Sequence, residues 1–254
     1  VSNNPSVADV FVVDGVLRIV GDNAGRAAIR ITDRTAGVSR WLGVRVRNED
    51  GSSPGMPRYL SLGAMSEDTP EHLNFWRQFE PGARNRRVDI RYIYLNGGPT
   101  NGWDTWGNSP GSRAVNYIRN SRMLGIIPFF VFYNIPDGSE SYELDLAHAQ
   151  SATYMTAYFK NLKLFLDIVR RESPDDMVGV VLEPDFLGYM AQNAGKPAAE
   201  IPAATRAVYQ SGLVDDSDPR FPDTLQGLVQ AINYCISRNA PQVVQEGTTA
   251  PSAR

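Results

Sequence analysis

Three short stretches hold the side chains with the most chemistry. "VGVVLEPDFLGYM" (178–190) ends an apolar run on Glu183 and Asp185, with a proline between them. "VFYNIPDGSESY" (131–142) follows another apolar run and offers Tyr133, Asn134, Asp137, Ser139 and Glu140. "LNGGPTNGWDTW" (95–106) carries Asn96, Trp103, Asp104 and Trp106 among glycines. Carboxylates at the ends of buried strands suit general acid and base catalysis, because an apolar setting disfavours the charged form and lets an acid hold its proton near neutral pH. Tryptophans beside Asn, Gly and Asp suit a sugar ring, which has an apolar face and a polar rim. The bland alternatives are a helix N-cap or an arginine ion pair for Glu183 and Asp185, and core packing for the tryptophans.

These stretches are positioned by a repeating grammar. From Tyr59 onward, apolar runs alternate with helix-period segments: a strand over Tyr59–Met65, then "SEDTPEHLNFWRQF" with Thr69 as N-cap, Pro70 at the first helical position and Leu73, Trp76 and Phe79 on one face. "VDIRYIYLNGG" and "GSRAVNYIRNSRMLG" give the second strand and helix, the latter closed by Gly125. "IIPFFVFYNIPDG", "ATYMTAYFKNLKLFLDIVRRES", "MVGVVLEPDFL" and "PDTLQGLVQAINYCISRN" continue the series. Four strand–helix units predict a parallel sheet covered on both faces, in an α/β domain over residues 58–244 that is either a (β/α) barrel-type domain, whole or half, or a small open sheet, the barrel type being the expected one. Ligands of such sheets sit at the carboxyl ends of the strands, where the three stretches lie.

The first 47 residues read differently. "SVADVFVVDGVLRIVGDNAGRAAIRITD" alternates apolar and polar residues around tight turns and has no helical period. It resembles the later strands of a bacterial immunoglobulin-like domain. Residues 48–57, rich in Gly, Ser and Pro, read as a linker, and 245–254 as a polar tail.

Taken in order, "FVFYNIPDGSESY", "VVLEPDFLGYM" and "LVQAINYCISRNAPQV" resemble glycoside hydrolase family 6, the cellulase and cellobiohydrolase family, whose blocks read "VVYDLPDRDC", "LVIEPDSL" and "CINYA". The resemblance implies a secreted bacterial enzyme that hydrolyses a β-glucan-like polysaccharide with inversion and without a cofactor. It makes Asp185 the general acid, Glu183 a supporting carboxylate and Tyr133 the tyrosine that distorts the sugar. Asp137 matches the first Asp of "DRD". Ser139 stands where the family has its second, with Glu140 adjacent as a substitute. Trp103, Trp106, Asp104, Asn96, Ser139 and Asn134 are then the substrate-binding candidates. The family's two cysteine positions fall on Glu140 and Ala231, and the further strand exit it carries after the third block has no counterpart here.

Composition narrows the field. The chain has 254 residues, 42% hydrophobic and 21% charged, with a net charge of −3, so neither nucleic acid nor an anionic membrane is an expected partner. No apolar run is long enough to span a membrane, and no basic-then-apolar leader opens the chain. Cys235 is the sole cysteine and His72 and His148 the sole histidines, so neither an internal disulfide nor a cysteine- or histidine-rich metal centre is expected. "ARNRR" (83–87) and the acidic stretch 215–223 read as solvated loops, the latter without calcium-loop spacing. Two rival readings stay open: a non-catalytic glycan binder using Trp103, Trp106 and Tyr133, and an adhesion module.

Overall fold

The computed structural model of the chain describes residues 1–78 and 87–246. The chain divides into two compact units: Val1–Ile93 with Asn116–Phe129 and Asp175–Met177, and Tyr94–Val115 with Phe130–Pro174 and Val178–Arg254.

In the first unit, β1 (Ala8–Val13) and β2 (Val16–Gly21) form an antiparallel hairpin. Its turn is Asp14-Gly15, both at positive φ, the geometry that matches the twist of paired strands. β3 (Gly25–Asp33) and β4 (Val38–Val46) form a second hairpin. Its turn is held by Asp33, whose carboxylate accepts the amides of Thr35 and Ala36. Val7, Ala8 and Ala27 bury against Ile19, Val44 and Val46, while Phe11, Val12, Val13, Val16 and Leu17 stay exposed. The hairpins are two separate two-stranded sheets.

Residues 48–57 contain no helix or strand, yet they are pinned. The Arg26 guanidinium donates to the carbonyls of Pro54 and Gly55 and, at 3.0 Å, to the buried Asp176, which also accepts from Arg45 at 2.7 Å. A carboxylate this buried is kept ionised only by such partners. Burial raises the Asp176 carboxyl, but Arg26 and then Arg45 outweigh it and hold it below the usual range.

Nine strands and six helices are described. β5 (Gly63–Met65), α1 (Pro70–Trp76), β6 (Ile90–Asn96), α2 (Ser112–Leu124), β7 (Ile127–Tyr133), α3 (Tyr142–Gln150), α4 (Ala152–Glu172), β8 (Val178–Leu182), α5 (Phe186–Asn193), α6 (Leu225–Asn239) and β9 (Val243–Glu246) follow the hairpins. β5 to β9 form one parallel sheet in consecutive order, flanked by helices. No closed barrel forms among the described residues, and β5 and β9 are the sheet's edges.

Several elements depart from expectation. The first strand is three residues, not seven, because its N-terminal part is exposed: Tyr59 reaches instead to Asp89 through its hydroxyl, and Leu60 and Leu62 face solvent. Thr69 caps α1 by accepting the His72 amide, as expected, but α1 buries none of its residues, and Phe79 lies outside the described residues. The strand exits contain two helices, α3 and α5, in place of open loops. A fifth parallel strand, β9, occupies Val243–Glu246, where the polar tail was expected to begin. It pairs in parallel with β8, and its own sequence, two valines followed by Gln245 and Glu246, resembles a loop until a partner edge is supplied.

The core of the second unit is carried by α4, which buries Met155, Tyr158, Phe159, Leu162, Phe165, Leu166 and Val169 along one stripe. Each such side chain contributes about 1.5–3 kcal/mol on leaving water. β7 is buried along its whole length, the signature of a strand covered on both faces.

Candidate active site

The exits of β7 and β8 lie side by side at the carboxyl end of the sheet, and Glu183 ties them together. It follows β8 at φ +42°, a left-handed conformation that costs a non-glycine residue on the order of 1 kcal/mol or more. Its own amide continues the ladder to the Phe132 carbonyl at 2.9 Å. The left-handed turn is held by the side chain: one carboxylate oxygen accepts the Asn134 amide at 2.9 Å and the other the Ile135 amide at 3.1 Å. With Ile135, Leu182, Phe186 and Ile232, Glu183 lines a small cavity. Burial pushes the Glu183 carboxyl up to about 8, against the opposing pull of the Asn134 and Ile135 amides and the Tyr158 hydroxyl. Glu183 is therefore a buried fastener for the β7 exit. Asn134, also fully buried, donates its side-chain amide to the Leu95 carbonyl and ties in the β6 exit.

Around this fastener stand the other acids. Asp185 sits at the N-cap position of α5, exposed and making no side-chain cap bond. The burial expected for it falls on Glu183 and Asp145 instead. Glu140 and Ser139 are exposed in the loop before α3, and Glu140 accepts from the Tyr189 hydroxyl at 3.3 Å. Tyr133 ends β7 nearly buried, and its hydroxyl is held above its usual range by burial first, then by the carboxylates of Glu140, Asp185 and Asp145. Tyr189 is raised by the same set, again after burial. Two tyrosines from different elements thus feel the same three carboxylates, which places Glu140, Asp185 and Asp145 in one cluster.

Asp145 was not legible in the sequence. It lies in the first turn of α3, fully buried, and neither carboxylate oxygen has a hydrogen-bond partner. Burial pushes its carboxyl up to about 6; His148 opposes this, and Glu140, Asp137 and Asp185 add to it. In the sequence it stands beside Glu143 in the first turn of a helix with no clear apolar face, so nothing local marks it as the buried one.

Asp137 belongs to a smaller arrangement. Its carboxylate is 3.8 Å from His148 Nε2, and His148 Nδ1 is 2.7 Å from the Ile135 carbonyl. A carbonyl only accepts, so Nδ1 carries a proton and Nε2 faces the acid. The His148 ring stacks on Tyr154 at 3.9 Å, and the Tyr154 hydroxyl donates to the carbonyls of Asn134 and Ile135. Gly98, at φ +80°, lies so close that a Cβ there would meet the Asp137 side chain at 2.7 Å. The glycines of "NGGPTNG" thus bring the β6 exit against the β7 exit.

The two tryptophans separate. Trp103 is 0% exposed, donates its indole N–H to Asn161 at 2.6 Å and packs edge-on against Phe132 and Phe165. It is a core residue in this conformation, and the expected sugar stacking falls to Trp106 alone. Trp106 is 41% exposed, with the Arg113 guanidinium 5.4 Å above its ring. Asp104 is half-buried, and burial raises its carboxyl, opposed by its own and the Thr105 backbone amides and by Asn161. Asn96 ends β6, half-buried.

Other charged stretches are accounted for. In the acidic loop, Asp216 pairs with Arg220, Asp223 with Arg206, and Asp215 and Asp218 with Arg238. No group of acids, histidines and cysteines among the described residues is arranged to hold a metal ion. Of "ARNRR", residues 83–86 lie outside the described residues, and Arg87 lies 3.8 Å from Asp89. A cavity of about 820 Å³ in the first unit is lined by Arg26 and Arg87 among others, but these are engaged by Asp176 and Asp89. Cys235 is buried and free, its thiol pushed up to about 12 by burial. No helix is long and apolar enough to cross a membrane among the described residues.

Fold and cluster together define a mixed α/β protein with a parallel sheet and an acidic, tyrosine-lined strand exit. No protein-family model, curated protein or solved structure matches the chain.

Proposed function

We propose that the chain is a glycoside hydrolase acting on a β-glucan-like polysaccharide. The observation that carries the reading is the convergence of Asp185 from the β8 exit with Glu140 from the β7 exit around the hydroxyls of Tyr133 and Tyr189. Hydrolysis of a glycosidic bond needs one carboxyl to protonate the leaving oxygen and another to activate water on the opposite face of the sugar. Asp185, exposed at the start of α5, serves as the acid, and Glu140 or Asp137 as the group that orders water. Trp106 provides an aromatic face for a neighbouring sugar, and Asn96, Asp104 and Ser139 provide polar contacts. Glu183 and Asn134 act through the backbone they hold. The resemblance of the three ordered blocks to family 6 supports this assignment, as does the consecutive order of the five parallel strands, which is that of a barrel segment. A barrel-type domain over 58–244, an immunoglobulin-like segment before it, and secretion from a bacterium belong to the same proposal.

The second reading, a non-catalytic glycan binder, is favoured by one observation: Ser139 occupies the position of a family acid and is exposed. Reducing-sugar release from soluble β-glucans separates the two. Wild-type protein should release reducing ends and Asp185→Asn should lose that activity by at least about a hundredfold, the contribution typical of a general acid, while still binding glucan. Release at the wild-type rate by the Asn variant refutes the assignment of Asp185. Binding without release by the wild type supports the binder.

A further inference from the structure

Asp137 and His148 face each other at the β7 exit as two acceptors. The His148 ring is fixed twice over. Its Nδ1–H is spent on the Ile135 carbonyl at 2.7 Å, and its face stacks on Tyr154 at 3.9 Å and 5° from parallel. Tyr154 is itself held by the Asn134 and Ile135 carbonyls. The remaining nitrogen, Nε2, is then the lone-pair side of a neutral ring. Asp137 Oδ2 stands 3.8 Å from it, beyond hydrogen-bond length, and the Asp137 carboxylate accepts no hydrogen bond among the described residues. Both side chains reach solvent, at 15% and 47% exposure, and Gly98 packs on the Asp137 Cβ from the β6 side. The other charged and titratable groups nearby are engaged elsewhere or face the pair without bonding to it. Asp145 lies on the same helix, Glu183 holds the Ile135 amide, Tyr189 of α5 is turned to Glu140, and Arg206 is turned to Asp223.

Two fixed acceptors at this spacing select their donor. A single atom bonding both at about 2.8 Å would have to spread its two bonds by only about 85°, well under the tetrahedral angle. Two donors on neighbouring atoms fit without that squeeze. Adjacent hydroxyls of a pyranose ring, staggered across one C–C bond, have oxygens about 3 Å apart, so each can donate to its own acceptor at ordinary length. We infer that His148 Nε2 and Asp137 are a diol-reading pair: each accepts from one of two adjacent hydroxyls on a sugar residue seated at the β7 exit. The inference rests on the glycan reading of the site and makes it more specific. Asp137 becomes a binding group, and Glu140 is left to order water.

Two measurements on the full chain test it. Long-range ¹H–¹⁵N spectra at about pH 8, where an ordinary imidazole is neutral, should show His148 with Nδ1 protonated and Nε2 bare. A protonated Nε2 overturns the inference. Calorimetric titration with methyl β-cellobioside and its monodeoxy derivatives, in the Asp185→Asn background so that no ligand is consumed, reads the hydroxyls one by one. Removal of either of two adjacent hydroxyls should weaken binding at least about tenfold. His148→Asn keeps an N–H for the Ile135 carbonyl and lacks the Nε2 acceptor. It should shrink the penalty at one of the two positions below about twofold, and Asp137→Ala should do so at the other. A purely structural His148 would weaken every derivative alike and leave the penalties in place. Penalties at non-adjacent positions, or penalties unchanged in the variants, overturn the inference. Glucan hydrolysis by the wild type without this pattern leaves the hydrolase reading standing alone. The pattern without hydrolysis supports the pair and removes the hydrolase reading, and neither binding nor hydrolysis removes both.

Discussion

Asp145→Asn should make the protein more stable at about pH 7.5 and leave its stability unchanged at about pH 4. The native carboxyl has a value near 6 in place of 3.8, so between these values the folded state holds a proton that the unfolded state has released. Stability from this group therefore falls as pH rises through that window, and the full cost is present above it. At about 1.4 kcal/mol per pH unit the shift corresponds to about 3 kcal/mol. Solvent and counter-ions screen the part that comes from the exposed carboxylates Glu140, Asp137 and Asp185, which leaves about 1–2 kcal/mol as the expected gain. The asparagine amide has the shape of the acid, carries no charge, and offers donors to the surrounding carboxylates. Urea unfolding of wild type and variant at both pH values reads the difference directly. Equal differences at the two pH values, or destabilisation at the higher one, would refute the claim that Asp145 is a buried acid strained by its neighbours.

Asp176→Ala should cost about 3–5 kcal/mol in thermal or urea unfolding, because it strands the Arg26 and Arg45 guanidiniums inside the first unit. The wild-type carboxyl is held below its ordinary value of 3.8, so its contribution is present above that pH and is lost as pH falls through the lower folded value. Trp103→Ala and Trp106→Ala should behave in opposite ways. The first should cost about 3–5 kcal/mol in urea unfolding. The second should change stability by less than about 0.5 kcal/mol and weaken glucan retention in affinity electrophoresis.

Much of the element series could be read directly from local signals. The Asp14-Gly15 turn, the Thr69 cap with Pro70 behind it, the Gly125 stop and the apolar stripe of α4 each have a cause within a few residues of chain. The elements that escaped are those whose signals are weak or non-local. α3 and α5 are short and follow strand exits directly, so neither is long enough to show a helical period of its own. β9 is four residues long and becomes a strand only by pairing with β8.

The candidate site divides along the same line. Sequence alone identified which exits carry acids, because apolar runs ending on "NIPD" and "LEPD" are visible without coordinates. It could not say which acid is dry. Asp185 and Glu183 are two residues apart, yet one is exposed and the other is buried, because the left-handed turn at Glu183 goes with a side chain turned back to the Asn134 and Ile135 amides after β7. Trp103 and Trp106 divide similarly, three residues apart: one is anchored to Asn161 and the other is open to solvent. Asp145 is defined only by neighbours drawn from β7, β8, α4 and α5. Residue type and order are properties of the chain, and they determined the kind of chemistry available. Burial and proton affinity are properties of packing between distant segments, and only the tertiary structure decided which side chains can perform that chemistry.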